Sequence, residues 1–157
     1  NASVSDMKEQ FDFLIRVRDK VSETHKAIKK IRAIRDQMNR ITDPLKDKAD
    51  MKDLTDMAKA IQEEMKKVEE ALYQTKNKSA QDPLNFPVRL NDKLAGLASE
   101  AEGGDYKPTE QVKAVYKEIS GDIDVQLQTL HKIFDEQIPK FNEMVKQKQI
   151  SAVTFTD

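Results

Sequence analysis

Three long stretches of this chain place their apolar residues three and four positions apart, and a single proline-fixed segment, Asp82 to Leu97, interrupts them. Spacing of that kind gathers the large apolar side chains onto one face of a helix, so none of the three helices is stable alone in water. The smallest arrangement that buries three such stripes together is three helices facing inward. The pattern predicts an all-α fold: an up-down-up bundle of three long helices plus a short fourth helix after the proline-fixed connector.

Only four Gly and five Pro occur in 157 residues, so the punctuation is sparse and legible. Asp43-Pro44, Asp82-Pro83, Gly103-Gly104 and Lys107-Pro108 divide the chain. From Ser5 to about Arg40, Leu14, Val17, Val21, Ile28, Ile31 and Met38 share a seam in which Thr24 and Arg35 fill the gaps. That is a helix of roughly 35 residues, about 50 Å long. A second runs from a predicted cap at Asp50 to about Gln74, with Leu54, Ala58, Ile61, Met65, Val68 and Leu72 on its seam. Pro87 suits the first turn of the short helix, which carries Leu90, Leu94 and Leu97 and ends at Gly103 and Gly104. This helix and the connector are expected to cover an otherwise open flank or end of the bundle.

Pro108 and Thr109 open the last long helix, where Val112, Tyr116, Ile119, Ile123, Leu127, Leu130, Phe134, Ile138, Phe141 and Val145 form the seam. Two features inside it are unusual. Gly121 costs about 1 kcal/mol relative to Ala in a helix interior. Pro139 cannot donate to the carbonyl of Asp135, which predicts a kink with the register continuing beyond it. Past about Lys148, Val153 and Phe155 alternate with Thr and suggest an extended tail.

The chain reads as a single helical-bundle domain, residues 1–157, and a start at Asn1 in place of Met suggests that it is processed or excised from something longer. Charged residues make up 35% and aromatics only 6%, which fits a heavily solvated helical surface. A formal net charge of -1 nominates no nucleic-acid partner. No apolar run approaches the ~20 residues of a membrane-spanning helix, so no membrane insertion is expected. The absence of cysteine removes disulfides, zinc-thiolate sites and thiol nucleophiles.

Candidate chemistry is thin. His25 and His131 sit on different helices without acidic residues at metal-ligand spacing. Glu63-Glu64 and Glu69-Glu70 are adjacent pairs pointing about 100° apart, which suits solubility and not acid/base work. Asp53 and Asp56 share a face, where the simpler reading is a helix-start charge. Of the basic run, Lys26, Lys29 and Lys30 share the solvent arc while Arg35 falls on the seam as a buried-edge arginine. No catalytic, cofactor or metal residues are assigned. The connector is different, because Leu84 and Phe86 are large apolar residues in a loop stiffened by Pro83 and Pro87. They read as a core plug; the alternative is a docking surface in which Asn85, Arg89 and Asn91 set polar groups beside the apolar base.

Gln10-Phe11-Asp12-Phe13-Leu14 with Arg32-Ala33-Ile34-Arg35, the Asp82 to Leu97 segment, and Tyr106-Lys107-Pro108-Thr109-Glu110-Gln111 resemble, in order and spacing, the C-terminal helical region of bacterial sortilin-like β-propeller proteins, often labelled BNR-repeat glycosyl hydrolases. That resemblance implies an exported, periplasmic or cell-surface parent with an N-terminal propeller. This chain would be its appendage, with the neighbouring domains of the parent as partners. Any hydrolase activity would belong to the propeller, and no catalytic residue carries over. The leading expectation is a monomeric, non-catalytic accessory domain that scaffolds or docks. The alternatives are a free-standing coiled-coil-like oligomerisation module and one side of an inter-domain active site.

Overall fold

A computed structural model describes residues 2–73, 90–103 and 107–148. Five α-helices occur among them: α1 (Val4–Thr42), α2 (Lys52–Leu72), α3 (Leu90–Glu102), α4 (Glu110–Lys132) and α5 (Ile138–Gln147). No strand is present among the described residues, so the fold is all-α as the periodicity required.

Each start is set by local chemistry. Ser3 caps α1 in a reciprocal box: its hydroxyl accepts from the Asp6 N–H at 3.0 Å, and its own N–H donates to Asp6 Oδ2 at 3.0 Å. The Ser3 hydrogen bonds hold the Asp6 carboxyl below its ordinary value. Thr109 caps α4 by accepting from the Val112 N–H at 3.1 Å. Asp50 does not cap α2. It lies in a 3-10 turn, Ala49–Met51, that tightens the chain into the helix, and Met51 at the N-cap makes no side-chain bond. Asp53 supplies the acidic charge in the first turn instead, and Lys148 binds it at 2.9 Å.

The helix directions follow from cross-helix pairs. Gln62 donates to Asn39, Arg35 meets Glu69 and His25 meets Tyr73, so α1 and α2 run antiparallel. Glu9 with Lys113, Lys20 with Asp124 and Lys30 over Phe134 make α1 and α4 parallel. Gln137 with Glu64 and Lys148 with Asp53 return the last helix antiparallel to α2. The up-down-up order holds.

The short helix covers the flank of α1 and α4 that α2 leaves open. Gln10 donates to the carbonyl of Ala101 at 2.8 Å, so the last turn of α3 lies beside the beginning of α1. Asp92, in the first turn of α3, lies close enough to Tyr73 at the end of α2 to act on its hydroxyl. Helix α3 therefore continues the middle position of the bundle where α2 stops. The 39 residues of α1 are lined by α2 over one part and by α3 over the other.

A single core threads this frame. All six predicted α2 seam residues are buried, as are Val17, Ile28, Ile31 and Met38 of α1 and Leu94 and Leu97 of α3. In α1 the seam is rotated slightly from expectation: Phe13 is fully buried while Leu14 and Val21 are only partly so. Thr24 and Thr42 are tolerated inside because each hydroxyl donates to the carbonyl four residues back, Lys20 at 2.9 Å and Met38 at 3.0 Å.

The proline in the last helix acts one turn upstream. Residues Ile133–Gln137 form a π turn in which the Ile138 N–H donates to the Ile133 carbonyl, five residues back. Pro139 then enters at the beginning of α5, where a missing donor costs least. The extra residue of the π turn shifts the seam, so Ile133 is buried beside a partly buried Phe134 before Phe141 restores the register.

Candidate functional site

Of the residues singled out in the connector, Leu84, Asn85, Phe86 and Arg89 lie outside the described residues. Asn91 is described and stands in the first turn of α3. Its Oδ1 is buried and has no hydrogen-bond partner among the described residues.

Glu69 is the most buried charge among the described residues. Expected on a solvated face, it is only 5% exposed. Arg32 Nε donates to one carboxylate oxygen at 3.2 Å and Arg35 Nη2 to the other at 2.6 Å. The earlier pairing of Glu69 with Glu70 misplaces it, because Glu69 lies four residues after Met65 and three before Leu72 and so falls on the seam. The edge position expected for Arg35 is what lets it reach inward. One turn on, the Tyr73 hydroxyl contacts the His25 ring, and the two rings meet edge to face with centroids 5.3 Å apart. Partial burial pushes the Tyr73 hydroxyl up, with Arg32 pulling it down and Asp92 adding to the rise. The arrangement clamps the end of α2 to α1. Its charged groups are mutually satisfied, which leaves them holding the helix pair together and not facing an open space. His131 remains exposed on α4.

Two other surfaces emerge from the packing. At the beginning of α1, Val4, Met7 and Phe11 are 80%, 50% and 62% exposed. Their steps of three and four put them on one face, turned away from the seam that holds Phe13 and Val17. This second stripe was not separable in sequence, because Phe11, Phe13 and Leu14 are all plausible members of one broad apolar arc.

The other surface is a groove of about 490 Å³ along the seam between α1 and α4. Phe13, Arg16, Tyr116, Lys117, Gly121 and Asp124 are among its lining residues. Tyr116 closes over Phe13 edge to face, with ring centroids 5.5 Å apart, and its hydroxyl donates to the Arg16 carbonyl at 3.4 Å. Two salt-bridge clusters bracket the groove. Lys113 pairs with Glu9 and Glu110, and Lys20 with Asp124 at 2.7 Å and Glu23 at 3.1 Å. Burial pulls the Lys20 ammonium down, but its hydrogen bonds to Asp124 and Glu23 prevail and raise it.

Among the described residues no group of His, Cys, Asp or Glu is arranged to hold a metal ion, and no helix is long and apolar enough to cross a membrane. Comparison with known proteins finds no matching family model, curated protein or solved structure.

Proposed function

We propose that this chain is a non-catalytic accessory helical domain that scaffolds or docks within a larger exported propeller protein of the BNR-repeat glycosyl hydrolase kind. One observation carries the docking half of the reading. The long seam is satisfied within the chain, while a second apolar stripe of Val4, Met7 and Phe11 at one end of α1 is left facing out. A surface of that type is what an interaction with another domain uses, and its rim is polar, with Lys8 and Asp12 paired at 2.9 Å. The context of a propeller rests on the resemblance of the Gln10–Leu14, Asp82–Leu97 and Tyr106–Gln111 segments.

The coding sequence upstream of Asn1 provides the test. Propeller repeats there are the expected outcome, and their absence refutes the context. A purified chain that hydrolyses chromogenic glycosides would refute the non-catalytic part, since retaining and inverting hydrolases alike use two carboxyl groups fixed across a cleft.

The same stripe favours a second reading, the oligomerisation module, because Val4, Met7, Phe11 and the half-buried Leu14 follow heptad steps. Light scattering over a wide concentration range separates the two. A monomer agrees with the accessory domain; a dimer lost on replacing Phe11 by Ser establishes the module.

A further inference from the structure

We propose that the groove between α1 and α4 is a binding site for a small organic anion, a carboxylate carried on a flat apolar body. The charge preference comes from what is left unpaired. Lys20 and Lys113 are each held by two carboxylates. Arg16 on one wall and Lys117 on the other have no carboxylate within ion-pair distance among the described residues, and both line the same gap. The remaining acid there, Asp124, is neutralised by Lys20 at 2.7 Å. Two unpaired cations facing one cleft raise the local concentration of anions, and a guanidinium offers a planar fork that matches a carboxylate.

The flat apolar body follows from the floor and from Gly121. Tyr116 forms that floor, set edge to face over the fully buried Phe13 ring, and Arg16 flanks it, 5.9 Å from the Phe13 centroid. Gly121 lies in the interior of α4, where glycine weakens a helix, yet a Cβ built there meets nothing within 4 Å. Packing inside the chain therefore does not require glycine at this position. What glycine provides is a strip of bare helix backbone along the groove, against which a planar group can lie between Lys117 and Arg16.

The test is a titration of the 157-residue chain with 2-naphthoate, followed by amide NMR shifts. Saturating shifts are expected around Arg16, Tyr116, Lys117 and Gly121, with a Kd of about 1 mM for a ligand of that size. Added salt should weaken the binding. The uncharged 2-naphthol tests the anion and inorganic phosphate tests the flat body; both should bind clearly more weakly. Lys117→Gln should raise Kd about three- to fivefold. Gly121→Ala should raise it comparably while the protein melts no lower than the parent, so that weakened binding cannot be ascribed to unfolding. Lack of saturable shifts up to about 10 mM overturns the proposal. So does equal binding of naphthol or phosphate, or an unchanged Kd in either variant.

Discussion

Removing the charge of Glu69 is the sharpest perturbation of this bundle. The carboxylate is 7% exposed at its side chain and accepts from two arginines, at 2.6 and 3.2 Å. Cutting one partner out of a fully buried ion pair costs about 3 to 5 kcal/mol, mostly because the survivor is left without water. Here the survivors are not stranded: Arg35 keeps 29% of its side-chain exposure and Arg32 keeps 56%, so both rehydrate. The cost of Glu69→Gln is therefore reduced to about 2 kcal/mol, close to the loss of one or two charge-assisted hydrogen bonds net of hydration. For a chain of this length that is a fall in Tm of roughly 4 to 8 °C. The exposed Glu63→Gln on the same helix should change stability by less than about 0.5 kcal/mol. Urea unfolding followed by circular dichroism measures both. A double-mutant cycle with Arg35→Gln should show coupling above about 0.5 kcal/mol. If Glu69→Gln unfolds at the same midpoint as Glu63→Gln, the clamp contributes nothing and the reasoning fails.

Phe13→Ala should destabilise by about 3 to 5 kcal/mol and Phe11→Ala by less than about 0.5 in the same unfolding assay, since one ring is fully buried and the other largely in water. Ile61→Ala and Leu130→Ala should each cost about 2 to 5 kcal/mol, and costs equal to that of Lys29→Ala would refute the seams. Gly96→Ala should raise stability by about 0.5 to 1 kcal/mol, because the added methyl meets nothing within 4 Å and the helix gains propensity. Acid sensitivity should track Asp53, whose carboxyl is held below its ordinary value first by its hydrogen bond with Lys148. A depressed folded-state value gives stability that is present above the unfolded value and lost as pH falls through the folded one. Asp53→Asn should therefore lower the Tm at neutral pH and become indistinguishable from the parent at low pH; a constant difference across pH would refute the linkage.

The architecture was readable because helical periodicity is a local signal. Leu54, Ala58, Ile61, Met65, Val68 and Leu72 sit three and four apart, and burial followed that spacing directly. What escaped depended on partners far along the chain. Spacing from Met65 and Leu72 alone puts Glu69 on the seam, but its pairing with Arg32 and Arg35, on another helix, could not be read locally. For α3 the cover of an open flank was legible, but its three leucines announce one apolar face and not which helices receive it. Pro139 announced a disturbance, and only the hydrogen-bond pattern shows it absorbed as a π turn one turn earlier. The outward stripe of Val4, Met7 and Phe11 was hidden by abundance, since Phe13, Leu14 and Val17 nearby supply enough apolar residues to fill the seam.

Splitting the middle position between α2 and α3 also divides how the bundle opens. Order spreads along a helix by successive hydrogen bonds, and that propagation stops where one helix ends and another must begin anew. Helix α3 buries Leu94, Leu97 and Ala101, whereas α2 buries Leu54, Ala58, Ile61, Met65, Val68, Glu69 and Leu72. Of these two the smaller helix is held by less apolar burial, so between them it is the one that detaches first in sub-global fluctuations. When it does, the beginnings of α1 and α4 lose their third wall while the α2 and α5 end stays closed. Amide protons in α3 should then exchange through a low-energy opening and those in α2 only through global unfolding, which makes this bundle two cooperative units built on one continuous pair of long helices.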